Sequence, residues 1–119
     1  MSKILIIDDE SDICLLLSSM LKKAGYDVDF ALTIDSGKEK ITQFQPNIIF
    51  LDLNLPDGNG FDIIPDIRRT LPHTEIIIVS AYDGEDEKKR ADDEEIEYFI
   101  NKPLQFDKVK KVVHELQSA

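Results

Sequence analysis

Carboxylate, hydroxyl and amine side chains follow short apolar runs at four separate places in the chain. Three carboxylates held close together repel one another, so one of them must take up a proton or the group must bind a cation. Hard oxygen ligands suit Mg²⁺, which keeps several of its waters and often binds beside a phosphate. With a cation and an ammonium nearby, one carboxylate can stay ionised and attack phosphorus, which gives an acyl phosphate. The residues concerned are Asp8, Asp9, Asp52, Ser80 and Lys102.

A simpler explanation exists for any one of these acids. A single Asp at the end of a strand often caps the following helix, because its side chain accepts hydrogen bonds from the first N–H groups of that helix. Capping is an alternative for Asp8 and Asp9 taken alone. It does not account for five polar groups that all follow apolar strands, so the whole pattern favours a functional site.

Strand and helix patterns alternate along the chain. Runs such as Lys3–Ile7 are continuously apolar, which is typical of parallel strands covered on both faces. The order (βα)5 predicts an α/β fold of the flavodoxin-like, doubly wound type, with a five-stranded parallel sheet in the order 2-1-3-4-5 and helices on both faces. The residues that follow neighbouring strands then meet at one edge of the sheet. The predicted strands are Lys3–Ile7, Tyr26–Ala31, Asn47–Leu51, Glu75–Val79 and Tyr98–Ile100, and the predicted helices are Ser11–Lys23, Thr33–Phe44, Phe61–Leu71, Glu85–Glu95 and Phe106–Leu116.

Length and composition predict one domain over residues 1–119 and argue against several classes of protein. The chain carries 24 acidic and 14 basic residues, a net charge of −10, which disfavours direct binding to nucleic acid or to an anionic membrane. Its apolar runs are far shorter than the roughly 20 residues of a membrane span. Cys14 is the single cysteine, so an internal disulfide is excluded and a reducing, cytoplasmic setting is expected.

Four sequence motifs together resemble the receiver domain of two-component response regulators. They are ILIIDDE at the start of the chain, NIIFLDLNLPDGNGFD in the middle, IIIVSAY after it and FINKPL near the end. Each motif is moderately specific, and the four in this order are highly specific. The resemblance covers essentially the whole chain. It implies a signalling switch rather than a conventional enzyme, one that catalyses only its own phosphorylation and dephosphorylation.

The resemblance also implies roles for the acids. Asp52 would accept a phosphoryl group from the phosphohistidine of a histidine kinase or a phosphotransfer protein. Asp9 and Asp52 would ligate Mg²⁺ directly, together with the backbone carbonyl of Asn54, and Asp8 would act mainly through a coordinated water. Asn54 and Tyr82 occupy the two positions that influence how water attacks the acyl phosphate, and the bulk of Tyr82 predicts a longer phosphoryl lifetime than in the fast chemotaxis members.

Other residues would sense and transmit the phosphoryl group. Ser80 would donate a hydrogen bond to one phosphoryl oxygen, and Lys102 would pair with another. Phe99 matches the aromatic switch position, although an aromatic residue in a short strand can also be plain core. The Lys102–Pro103 bond resembles the cis peptide of the family. The conformational change would pass to a downstream protein or to an output domain. The chain itself would be either a stand-alone receiver or part of a longer regulator.

The fourth predicted helix departs from the family pattern. Glu85–Glu95 offers Ala91 as its inward residue, and Glu95 stands where the family usually carries Gly. A helix without an apolar stripe lacks the packing that stabilises most helices in proteins. We therefore predict that this segment is short, frayed or displaced, and the least stable part of the domain. Pro65 similarly predicts a late or irregular start for the third helix.

Three alternative functions remain to be weighed. An interaction module that has lost phosphorylation is disfavoured by the intact set of site residues. An aspartyl-phosphate phosphatase of the haloacid dehalogenase type needs a second acid two residues after its nucleophile, where this chain has Asn54. A flavin-binding flavodoxin needs a phosphate loop rich in Ser, Thr and Gly, whereas Asp8, Asp9 and Glu10 would repel a phosphate in the absence of a metal.

Overall fold

The computed structural model describes residues 2–81 and 84–118. Within these ranges, five parallel strands form one sheet in the order β2-β1-β3-β4-β5, and the predicted flavodoxin-like fold is confirmed. The bounds of β1 and α1 are as predicted, and the others differ from the predicted ones by one or two residues except in the third helix. The strands are β1 (Lys3–Ile7), β2 (Asp27–Ala31), β3 (Ile48–Asp52), β4 (Glu75–Ser80) and β5 (Tyr98–Asn101). The helices are α1 (Ser11–Lys23), α2 (Ile34–Phe44), α3 (Ile64–Thr70), α4 (Glu85–Asp93) and α5 (Phe106–Ser118).

Each face of the sheet carries its own hydrophobic core, because successive side chains of a strand point to opposite faces. In β1, Ile4 and Ile6 pack with α1 and α5, whereas Leu5 and Ile7 pack with α2 and α3. The central strands β3 and β4 alternate in the same way. Both faces are therefore covered, and this is why the central strands β1, β3 and β4 are almost entirely apolar.

The sheet brings the polar residues that follow its strands to one edge. The last residue of β3, Asp52, pairs in register with Val79, next to the end of β4 at Ser80. Asp8 follows β1, and its N–H donates to the carbonyl of Ala31 at the end of β2, 3.0 Å away. The N–H of Lys102 donates to the carbonyl of Ser80 at 2.9 Å, which fixes the residue after β5 beside the end of β4.

The third helix starts later than predicted. The predicted range was Phe61–Leu71, but the segment Gly60–Ile63 forms a 3₁₀ turn and the α-helix begins at Ile64. Pro65 lies in the first turn of α3, where proline is tolerated because the first N–H groups of a helix have no partner within it. The irregular start that Pro65 predicted is confirmed, and the predicted N-terminal bound is wrong.

Helix α4 is short, as predicted, and ends at Asp93 rather than Glu95. Of its nine residues, all within the described part of the chain, Ala91 is the one that is buried. The N–H of Ile96 donates to the carbonyl of Ala91 at 2.9 Å, and the N–H of Glu95 donates to that of Asp92 at 3.0 Å. This is the Schellman pattern, with its usual apolar contact supplied by the buried Ala91 and Ile96. Whether α4 is also the least stable segment stays a prediction.

Two arginines tie α4 to its neighbours. Arg68 of α3 donates to the carbonyl of Glu94, 2.9 Å away, and so satisfies an otherwise unpaired carbonyl at the end of α4. Arg90 lies over the ring of Phe61, with its guanidinium carbon 4.5 Å from the ring centroid. Its Nη2 atom lies 3.6 Å from Oδ1 of Asp62. These contacts partly replace the apolar stripe that the helix lacks.

We expect Glu95→Gly to stabilise the protein by about 0.5–1 kcal/mol, because Glu95 has a φ of 59° and a side chain in that left-handed region is strained. Urea unfolding of the two proteins measures the difference. Glu94 has an ordinary φ of −87°, so Glu94→Gly should be neutral or destabilising. Equal effects of the two substitutions would show that the gain has nothing to do with backbone strain at Glu95.

Candidate functional site

The ammonium of Lys102 lies at the centre of the polar edge. Its Nζ atom is 2.9 Å from Oδ2 of Asp8, 3.0 Å from Oε1 of Glu10 and 3.2 Å from Oδ2 of Asp52. The side chains of Asp8 and Asp52 are each 4% exposed, and that of Lys102 is 10% exposed. An ammonium has three N–H donors, and three carboxylates surround it. The fold thus concentrates negative charge around one buried cation.

Backbone groups hold the two buried carboxylates in place. Oδ1 of Asp8 accepts a hydrogen bond from the N–H of Glu10 at 2.9 Å, and Oδ1 of Asp52 accepts one from the N–H of Asn54 at 3.1 Å. Each carboxylate therefore uses one oxygen in the loop after its strand and turns the other towards Lys102. The bond at Asp8 is a local turn bond and not a helix cap, because its donor Glu10 precedes the first residue of α1 and is itself the N-cap residue, without a side-chain cap bond.

The site opens onto a cleft of about 170 Å³. Asp52 lines this cleft, whereas Asp8 does not. The cleft is lined by Asp9, Glu10, Asp52, Asn54, Ala81 and Lys102. Of the predicted site residues, the edge thus collects Asp8, Asp9, Asp52, Asn54 and Lys102.

The remaining predicted residues lie around this centre. Ser80 is fully buried at the end of β4 and is held beside Lys102 by the backbone hydrogen bond. Phe99 is half-buried and packs against the core beneath α2 and α3, so both the core and the switch interpretation suit its position. The Lys102–Pro103 peptide bond is cis. Tyr82, predicted to influence the phosphoryl lifetime, lies outside the described residues.

Burial and charge shift the pKa values of the central pair. Burial raises the pKa of Asp52 from its ordinary 3.8 to about 6; the N–H of Asn54 opposes the rise, and the charge of Asp8 adds to it. Burial alone would lower the pKa of Lys102, but its hydrogen bonds to Asp8 and Glu10 raise it above the ordinary value. Lys102 is therefore a permanent cation, and Asp52 is a carboxylate that is costly to ionise without further positive charge.

The loop after β3 is anchored at two points. The carboxylate of Asp57 accepts hydrogen bonds from the N–H groups of Ile34 and Asp35, at 2.8 and 3.1 Å, and so caps α2 from outside. These bonds lower the pKa of Asp57. Gly60 donates its N–H to the carbonyl of Leu53 at 2.8 Å and packs directly on the backbone of Asp52. The position of Asp52 therefore depends on the whole loop.

Glu10 and Gly60 were not predicted as site residues. The carboxylate oxygens of Asp8, Asp9 and Glu10 lie within 4.8 Å of one another, and Glu10 also reaches Lys102. The acidic run directly after β1 was the available signal for Glu10, although its length alone does not tell which acid turns inward. Gly60 carries no local signal, because its need for glycine arises from contact with a strand eight residues earlier.

The geometry agrees with a comparison to known protein families. The family that matches is the response regulator receiver domain, over residues 4–114. The chain belongs to this family. Receiver domains are signalling switches rather than conventional enzymes; they bind Mg²⁺ in an acidic pocket and interact with histidine kinases and output domains. No helix in residues 2–81 and 84–118 has the length and apolarity needed to cross a membrane.

Relatives of this receiver domain differ in length. The chain is 33% identical to the chemotaxis protein CheY of Thermotoga maritima over 82 residues, which are 66% of this chain and 67% of that protein. It is 34% identical over 106 residues to the KDP operon transcriptional regulatory protein KdpE of Escherichia coli, covering 87% of this chain but 46% of KdpE. The chain thus spans less than half of KdpE.

A solved structure extends the comparison. The response regulator protein TrrA of Thermotoga maritima, crystallised in complex with Mg²⁺–BeF, is 28% identical and superposes with a TM-score of 0.82. The match covers 98% of this chain and 99% of that chain. The receiver fold therefore accounts for nearly the whole length compared.

Proposed function

We propose that this chain is a phospho-accepting switch of a two-component system or phosphorelay. A carboxylate oxygen of Asp52 attacks the phosphorus of a phosphohistidine on a histidine kinase or phosphotransfer protein. The P–N bond breaks, the imidazole leaves with its electron pair, and Asp52 becomes an acyl phosphate. The observation that carries this proposal is that Asp52 lines the open cleft while its Oδ2 lies 3.2 Å from a buried ammonium.

Asp52 suits the nucleophile better than Asp8. Both side chains are buried to the same degree and both contact Lys102, but Asp52 lines the cleft and Asp8 does not. A phosphohistidine approaching from solvent can therefore reach Asp52. The ammonium of Lys102 then lies beside the place where a phosphoryl oxygen would arrive, and neutralises charge that builds up during transfer.

The donor set also fits Mg²⁺. Carboxylates are hard oxygen ligands, and Asp9 lies exposed at the cleft between solvent and the buried acids. Asp9, Asp52 and the carbonyl of Asn54 would hold the ion, with Asp8 acting through a coordinated water. A bound Mg²⁺ supplies positive charge that stabilises ionised Asp52 and the transferred phosphoryl oxygens. The complex of TrrA with Mg²⁺–BeF supports the same kind of site here.

The signal leaves the site through the end of β4. The hydroxyl of Ser80 donates a hydrogen bond to a phosphoryl oxygen, and Phe99 turns inward as Ser80 moves. The receiving surface belongs to a downstream protein or an output domain. The KdpE relative, of which this chain spans less than half, supports an output domain in the longer protein. The assignment of all of residues 1–119 to one receiver domain is part of this proposal, as is a cytoplasmic location.

Phosphorylation with a small donor tests the proposal. Incubation with acetyl phosphate and Mg²⁺ should add one phosphoryl group, seen by intact mass, and Asp52→Asn should abolish the addition. Asp27→Asn, an exposed acid at the far end of β2, should be labelled like the parent protein. Full labelling of the Asp52 variant would refute the nucleophile. An unlabelled parent protein would instead favour an interaction module that has lost phosphorylation.

A further inference from the structure

Glu10 contacts Lys102 in the same way as the two buried acids do, but from the solvent side. Its Oε1 lies 3.0 Å from Nζ, and its side chain is 56% exposed, against 4% for Asp8 and Asp52. We propose that Glu10 is a positioning residue that holds Lys102 in the unphosphorylated protein and competes with the incoming phosphoryl group for this ammonium. The inference rests on the proposed phosphorylation of Asp52.

The geometry makes Glu10 the partner that Lys102 exchanges. Asp8 is buried, and its other oxygen is bound by the N–H of Glu10, so it stays in place. Asp52 is the group that would carry the phosphoryl. The carboxylate of Glu10 is exposed and can be solvated by water when it leaves Lys102, whereas a buried carboxylate that lost the ammonium would be left as an uncompensated charge. Glu10 also lines the cleft, where its charge repels an anionic phosphoryl donor.

The negative charge of Glu10 should have opposite effects on the phosphoryl group and on Mg²⁺. The carboxylate of Glu10 opposes phosphoryl transfer, since it occupies Lys102 and repels the donor. It favours a divalent cation, since its oxygens lie within 4.8 Å of those of Asp8 and Asp9 and attract positive charge. Removal of the charge should therefore speed phosphorylation and weaken Mg²⁺ binding. A substitution that merely loosened the site would weaken both.

Glu10→Gln keeps the size of the side chain and removes its charge. At saturating Mg²⁺, we expect the rate of labelling by acetyl phosphate to rise about two- to fivefold, a modest factor because the carboxylate of Glu10 is largely solvated. The dissociation constant of Mg²⁺, from an NMR titration of the unphosphorylated protein, should rise by a similar factor. Glu39→Gln removes an exposed charge from α2 and should change neither quantity appreciably.

The outcomes separate this inference from the proposed function. Faster labelling with weaker Mg²⁺ binding supports the competition. A labelled parent protein whose Glu10→Gln variant is labelled at the same rate or more slowly overturns the role of Glu10 and leaves Asp52 as the acceptor. A parent protein that takes no phosphoryl group on Asp52 overturns both.

Discussion

Gly60→Ala is expected to destabilise the protein by about 3 kcal/mol or more, because a methyl group at this position has no room. A Cβ atom on Gly60 would lie 2.2 Å from the carbonyl oxygen of Asp52 and 3.0 Å from the Cα of Leu53. Both atoms belong to the backbone of a buried segment, so the clash cannot be relieved by a change of side-chain rotamer. Urea unfolding monitored by circular dichroism measures the loss, and the loop that carries Asp52 must shift in whatever remains folded.

Gly25→Ala is the matched control for this prediction. Gly25 has a φ of 100°, but a Cβ there would meet nothing within 4 Å. The cost should therefore be backbone strain alone, about 1–2 kcal/mol. If Gly60→Ala were no more damaging than Gly25→Ala, the close packing of Gly60 on Asp52 would not be a requirement of the fold.

Asp52→Asn is expected to stabilise the Mg²⁺-free protein by up to about 3 kcal/mol at pH 8, and by much less at pH 4. Folding raises the pKa of Asp52 from 3.8 to about 6, chiefly through burial, and each pKa unit corresponds to about 1.4 kcal/mol. The folded state thus keeps a proton between pH 4 and 6 that the unfolded state has released. The parent protein loses stability as the pH rises through this window, and the asparagine variant does not.

Unfolding by urea in EDTA, at a series of pH values from 4 to 8, measures this difference between the two proteins. Because the groups outside the site titrate in both, the difference isolates Asp52. Glu39→Gln, which removes a charge from the exposed face of α2, should change the stability only slightly. If the difference in the free energy of unfolding between Asp52→Asn and the parent protein did not change with pH, burial would not destabilise the ionised carboxylate of Asp52.

The fold could be predicted because its strands and helices carry different apolar periods. Lys3–Ile7 matched the observed strand, since its last four residues are buried and form an unbroken apolar run. Residues that follow such strands share an edge, so Asp8, Asp52 and Lys102 could be placed together before their distances were known. That prediction follows from topology and needs no side-chain detail.

Other features depend on contacts that no sequence pattern encodes. The side chain of Glu10 contacts Lys102, and an exposed side chain could equally adopt other rotamers. The buried Ile96 that closes α4 lies beyond the predicted helix, so a search for an apolar stripe within the helix missed it. The stacking of Arg90 on Phe61 joins segments far apart in the chain, and no local pattern indicates it.

The attachment of α4 is uneven along its length. Its anchors lie in its second half, at Arg90, Ala91 and the carbonyl of Glu94, whereas the first turn, 85–88, is exposed or half-buried. The helix is therefore held mainly by its C-terminal half. Under the proposed switch, a displacement at Ser80 would therefore move the first turn more readily than the second half, where the contacts found among the described residues lie. The acidic face of α4 would then change direction while the C-terminal end of the helix stayed bound to Arg68 of α3.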